Sequence, residues 1–166
     1  MTATAHCTPI VTVPCADGIE PGDKHVFESE EWFARAAGRG EPPTDADNRW
    51  PALCRRSAVD MLDRWGLARF SPVAELLVSE LVTNAVQHGV GPIGFRLVRR
   101  RRTIKVEVAD RGMLPFTMRL ARVDDERGRG LTLVEALSDG WGVRGDRDGR
   151  CRWVWASLTT ASPGEW

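Results

Sequence analysis

Two short segments, "IGFRLVR" (Ile93 to Arg99) and "TIKVEVAD" (Thr103 to Asp110), alternate apolar with polar residues around a run of four arginines, Arg99 to Arg102. Alternation with a period of two puts successive side chains on opposite faces of a strand, and the short polar link predicts an antiparallel hairpin. The arginines are then a solvated hairpin tip. No aromatic residues interleave them, as a nucleic-acid contact would require.

The other segments indicate what packs against that hairpin. "PALCRRSAVDMLDRWG" places Leu53, Ala58, Met61, Leu62 and Trp65 on one helical face, and Gly66 suits a C-terminal stop. Ser71 is expected to cap a second helix that has Pro72 in its first turn and runs to about Gly89. "GLTLVEALSD" reads as a third helix. "GWGVRG" and "CRWVWASL" read as two final strands joined by the turn sequence "DRDG". Helices segregated from hairpin-linked strands imply an α+β two-layer sandwich, a mostly antiparallel mixed sheet covered on one face by helices. Residues 1–49 are less patterned. "PIVTVPC" reads as a short strand, "ESEEWFARAAG" as a helix closed by Gly38 or Gly40, and "GRGEPPTDADN" as loop. The expected division is an N-terminal extension over 1–49, partly ordered or flexible, one domain over 50–160, and a tail over 161–166.

A chain of 166 residues has room for one ordinary domain. Its formal net charge of zero gives no global field toward nucleic acid or a membrane surface. Cys7, Cys15, Cys54 and Cys151 form no CxxC pair, and with the three histidines they complete no zinc spacing, so isolated reduced thiols are expected. The first residues lack a basic stretch followed by an apolar core, and no run approaches the ~20 apolar residues of a membrane helix. The expected location is the cytoplasm.

Three polar clusters interrupt this pattern. Within "SELVTNAVQHG", Glu80, Asn84 and His88 are spaced four apart and form one helical stripe, with Gln87 beside them. Solubility explains such a stripe as well as function does, although no lysine or arginine between Pro72 and Gly89 pairs with the acid. "VEVADRG" ends a strand on Asp110, followed by Gly112. A carboxylate there can accept hydrogen bonds from an exocyclic amine, while the glycine lets a ring approach the backbone. A simple Asp-x-Gly turn is the plainer explanation. In "DDERGRGLTLVEAL", Gly128 and Gly130 flank Arg129 at a helix start, where converging N–H groups and positive potential suit a phosphate. A flexible loop entering a helix accounts for it equally. Taken together, the three form an ordered set suited to nucleotide and metal.

"SELVTNAVQHG", "VEVADRG" and "GRGLTLVEAL" resemble the asparagine box and the first and second glycine boxes of the gyrase/histidine-kinase (GHKL, Bergerat-fold) ATPase superfamily. Within it, "LLVSELVTNAVQH", "GRGLTLVEALSDGWGV" and the terminal "VWASL" most resemble the stand-alone anti-sigma-factor serine kinases of actinobacteria, over roughly Trp50 to Leu158. The resemblance implies ATP and Mg²⁺ as ligands. It makes Asn84 the metal ligand and Glu80 the general base for the incoming nucleophile, with Gln87 and His88 lining the same side of the pocket. Asp110 becomes the adenine-reading carboxylate, with Gly112 as its neighbour. Gly128, Arg129, Gly130 and Leu131 become the segment that approaches the phosphates. The chemistry is consistent, because phosphoryl transfer needs positioning and charge neutralisation, and a serine hydroxyl needs a base.

The chain departs from the family pattern twice. Leu114, followed by Pro115, replaces the second glycine of the first glycine box. Trp153 stands where a threonine is common near the base, and its indole would stack on the base or fill its pocket. The activity implied is that of an ATP-dependent serine kinase and anti-sigma factor. Its partners would be a sigma factor and a STAS-type anti-sigma-factor antagonist, with a homodimer as a family expectation and no direct nucleic-acid or membrane partner. The alternative is a non-catalytic module that sequesters a regulator. Nothing resembles the phosphoacceptor box of a sensor histidine kinase; His25, in "DKHVFESEE", lacks the rest of that motif.

Overall fold

A computed structural model describes residues 26–38, 40–112, 129–146 and 148–160. Five strands, β1 (Val26–Phe33), β2 (Ile93–Arg99), β3 (Thr103–Asp110), β4 (Gly140–Gly145) and β5 (Arg152–Thr159), form one sheet in the order β1-β2-β3-β5-β4. Three helices, α1 (Trp50–Arg64), α2 (Ser71–His88) and α3 (Arg129–Leu137), supply the second layer. The architecture is the α+β sandwich expected. The sheet is more uniform than a mixed one, since every pairing among the described residues is antiparallel.

The β2–β3 hairpin forms around the arginine tip, closed by Arg100 N–H donating to Thr103 O at 2.7 Å. Arg101 and Arg102 are exposed, as a solvated tip requires. Arg99 instead reaches back, its Nη1 donating to Trp65 O at 3.1 Å, and so ties the hairpin to the end of α1. Phe95, Leu97, Val106, Val108, Ala156 and Leu158 share the sheet face under the helices and pack against Ala58, Met61, Leu62, Leu77, Leu81 and Val82. All twelve are buried, forming an apolar layer whose removal from water drives the fold.

The helix ends follow local chemistry only in part. Gly66 has φ +69°, which a β-carbon disfavours; its N–H donates to Asp63 O and that of Leu67 to Leu62 O, a Schellman stop. Leu53, assigned from the sequence to the inner face of α1, is 43% exposed, and Cys54 takes the buried position. Burial raises the Cys54 thiol well above its usual range. Ser71 does not cap α2. A single 3₁₀ turn, Ala68–Phe70, runs directly into the helix, leaving Ser71 as its first residue with a hydroxyl that has no partner among the described residues.

Residues 26–33 are a strand, not part of the helix expected over "ESEEWFARAAG". Pairing with β2 outweighs local helix propensity: Glu31 and Phe33 face the helices, where Ser57 Oγ donates to Glu31 Oε1 at 3.1 Å and Phe33 stacks on Trp50 at 4.2 Å. Residues 26–33 are therefore the edge strand of the sheet, beside β2. The "PIVTVPC" segment, Cys7, Cys15 and the 161–166 tail lie outside the described residues.

Asp47 holds the chain between β1 and α1. It is fully buried and accepts from Ala36 N–H (2.7 Å), Ala37 N–H (3.1 Å), Thr44 N–H (2.9 Å) and Thr44 Oγ1 (2.8 Å). Burial alone would raise its carboxyl, yet these donors hold it below the ordinary value of 3.8. An unfolded Asp47 takes up a proton at higher pH than the folded one. Its stabilisation is therefore fully present above the unfolded value and disappears as pH falls through the lower, folded one. Melting temperature should drop below about pH 4 more steeply in the natural chain than in Asp47→Asn, as a pH series of thermal melts would show.

The sheet face turned away from the three helices carries a second polar cluster, with Arg96, Glu107 and Trp153 buried. Arg96 Nε donates to Glu107 Oε2 at 2.6 Å, Arg144 Nη2 lies 3.4 Å from the same oxygen, and Glu30 approaches Arg96 at 3.7 Å. Trp153 lies beneath the Arg96 guanidinium at 4.4 Å and meets Trp32 edge-on at 5.8 Å.

Candidate nucleotide site

Helix α2 buries Leu77, Val78, Leu81, Val82, Ala85 and Val86, which turns its Glu80–Asn84–His88 stripe away from the core. Glu80 and Asn84 are half-buried, whereas Gln87 and His88 are exposed at the helix end. The first turn of α3 covers the half-buried pair. A β-carbon on Gly130 would overlap Glu80 Oε2 and lie 3.6 Å from Asn84 Nδ2, so the glycine leaves room for the Glu80 carboxylate where it stands. The α3 N-terminus brings N–H groups that have no partner within the helix, and positive potential, next to the Glu80 carboxylate. Arg129 opens α3, but its side chain and all of Gly128 lie outside the described residues, as does Leu114. Leu131 is half-buried and packs against the core, so it anchors α3.

The other end of the site is built where α2 stops against β3. Gly89 is buried, and a β-carbon there would come within 3.0 Å of the Asp110 Cβ. Arg35 Nη1 donates to Gly89 O at 3.0 Å, and Arg111 N–H donates to Val90 O at 2.8 Å, which fixes the crossing. The sequence-derived residues on the described chain thus line one edge, from Gly130 over Glu80 and Asn84 to Asp110 and Gly112.

Asp110 is 3% exposed, and both of its oxygens are engaged. Oδ1 accepts from Gly112 N–H at 2.5 Å, and Oδ2 accepts from Arg152 Nε at 2.9 Å. The sequence reading missed Arg152. In "CRWVWASL" it is in phase with Val154, Ala156 and Leu158, and a charge in register with an apolar face was the available signal.

Trp153 requires a correction. It pairs with Ala109, one residue out of phase with Asp110, so its indole lies on the opposite sheet face against Trp32, Arg96 and Arg144. It neither stacks on a ligand beside Asp110 nor fills that pocket. The residue opposite Asp110 on the site's own face is Arg152.

The end formed by α2 and α3 suits a hard cation shared with an anion. Asn84 and Glu80 offer oxygen donors, and the glycine-permitted helix start offers N–H groups. The Asp110 end holds an acceptor already paired to a cation. Among the described residues, no group of three His, Cys, Asp or Glu side chains forms a cage for a metal. No helix among them is long and apolar enough to cross a membrane.

The sequence matches the histidine kinase-like ATPase domain family over residues 44–158, and the chain belongs to that family. The match runs from the Asp47 clasp to the end of β5. Membership implies ATP, usually with Mg²⁺, as the ligand class. A comparison with curated proteins finds no match.

Proposed function

We propose that this protein is an ATP-dependent protein serine kinase acting as an anti-sigma factor in the cytoplasm, which holds a sigma factor and phosphorylates a serine of its STAS-type antagonist. The observation that carries the catalytic part is the packing of Gly130 on Glu80 and Asn84. It sets a carboxylate and an amide one helical turn apart beneath a helix N-terminus. Bound Mg²⁺ would neutralise phosphate charge. Asn84 would hold it, Glu80 would take the serine hydroxyl proton, and the α3 N–H groups would position the phosphates.

The partners follow the resemblance of "LLVSELVTNAVQH" and "GRGLTLVEALSDGWGV" to anti-sigma-factor kinases. Magnesium-dependent transfer of labelled γ-phosphate to a co-purifying STAS-type protein is the test. Co-purification with a sigma factor, retained with and without ATP, tests the second half. An absence of Mg-ATP binding in a calorimetric titration would sink the kinase reading. It would leave the sequestering module, which the Arg152–Asp110 pair at the base end favours.

Gly130→Ala separates site geometry from stability. The new β-carbon meets the far end of the Glu80 side chain, which can swing aside, and alanine is the better helix former. Melting temperature should barely change, while transfer should fall by about 100-fold because the carboxylate is displaced on the order of 1 Å. Parallel melts and initial rates would check both halves.

A further inference from the structure

We propose that Arg152 is a built-in stand-in for the nucleobase, which ATP must displace from Asp110 before its base can be read. This rests on the reading of Asp110 as the base-side carboxylate. Three observations support it.

Arg152 Nε donates to Asp110 Oδ2 at 2.9 Å, with the two side chains only 13% and 5% exposed, so the ion pair is largely withdrawn from water. Gly112 N–H occupies the other oxygen. The guanidinium also packs so closely on the backbone that a β-carbon at Gly112 would come within 2.7 Å of both its Cζ and its Nε. The space that a glycine opens for a planar ring beside a carboxylate is therefore filled by a planar group from the same chain. Strand register enforces this, because Arg152 pairs with Asp110 and projects on the same face.

An amine N–H from a base then competes with a charge-assisted bond for Asp110 and approaches an already neutralised carboxylate. Removing Arg152 frees the acceptor and the surface of Gly112. It also removes a positive charge, which by itself weakens attraction for a polyphosphate. A gain in ATP affinity therefore cannot come from bulk electrostatics.

Calorimetric titration of the full chain with Mg-ATP, in the natural protein and in Arg152→Ala, Arg152→Gln and Arg152→Lys, tests this. Arg152→Ala and Arg152→Gln should bind ATP about tenfold or more tightly than the natural chain. Arg152→Lys should fall between, because an ammonium keeps the charge but cannot lie flat on Gly112. Inorganic tripolyphosphate, which has no base, should bind the variants no better than the natural chain.

If ATP binds the natural chain and the variants equally, or the variants more weakly, the stand-in role is wrong and the ATP site remains. If ATP binds none of them, the ATP site itself is refuted and the stand-in role falls with it. Should Arg152→Ala fail to fold, Arg152→Gln and the natural chain carry the test. In the latter, saturating ATP should shift the Arg152 Nε–H resonance and speed its exchange, and an unmoved resonance in the ATP-bound protein would overturn the proposal.

Discussion

Glu80→Gln should remove phosphoryl transfer and leave nucleotide in place, lowering kcat by about 10²–10⁴-fold, the usual contribution of a positioned general base. Glutamine keeps the length and hydrogen-bonding capacity of the side chain but cannot accept the proton of a serine hydroxyl at neutral pH. Glu80 is half-buried beneath Gly130, and the fit of α2 to α3 depends on side-chain shape at that point more than on charge. Mg-ATP affinity by calorimetry should accordingly stay within a few-fold of the natural value, with single-turnover transfer reporting the loss. Unchanged transfer would remove Glu80 from the chemistry. Joint loss of transfer and binding would make it a structural residue of the α2–α3 contact.

The second large effect is on stability and lies on the other sheet face. Arg96→Ala leaves Glu107 buried, with Arg144 still at 3.4 Å, and removes the nearer of two guanidinium groups from the Trp153 ring. Breaking one partner out of a buried pair costs about 3–5 kcal/mol, a large fraction of the roughly 5–15 kcal/mol that holds a domain folded. Arg144 keeps the loss near the lower end, on the order of 3 kcal/mol, which for a chain of this size lowers Tm by roughly 10 °C. Replacing Arg96 and Glu107 together by methionine should recover much of it, because the two most deeply buried charges leave together, while Glu30 and Arg144 lie nearer to water. Denaturant titration of the single and double variants measures both quantities. A single variant as stable as the natural chain would show that water or relaxation compensates the pair.

The local patterns that could be read from the chain are those whose physics is local. The hairpin of β2 and β3 follows from period-two alternation, the Gly66 stop from a left-handed backbone, and the stripe of Glu80 and Asn84 from helical spacing. Misreadings occurred where partners distant in sequence decide. The segment before Phe33 carries enough helix-forming residues to suggest a helix, and only an open edge on β2 makes it a strand. Ser71 looked like a cap because a preceding turn that runs straight into the helix leaves little local signature.

The same division runs through the site. Residue type and spacing singled out Glu80, Asn84, Asp110, Gly112 and Gly130 as a candidate nucleotide-and-metal set, because each belongs to a short contiguous motif. Which side chain stands next to Asp110 was a question of strand register. A one-residue offset sends Trp153 to the far face and brings Arg152 onto the carboxylate. Sequence order fixed the fold class and the chemical groups available. Only the packing of β5 against β3 and of α3 onto α2 decided which of those groups meet, because such contacts join residues tens of positions apart and depend on which face each strand turns inward.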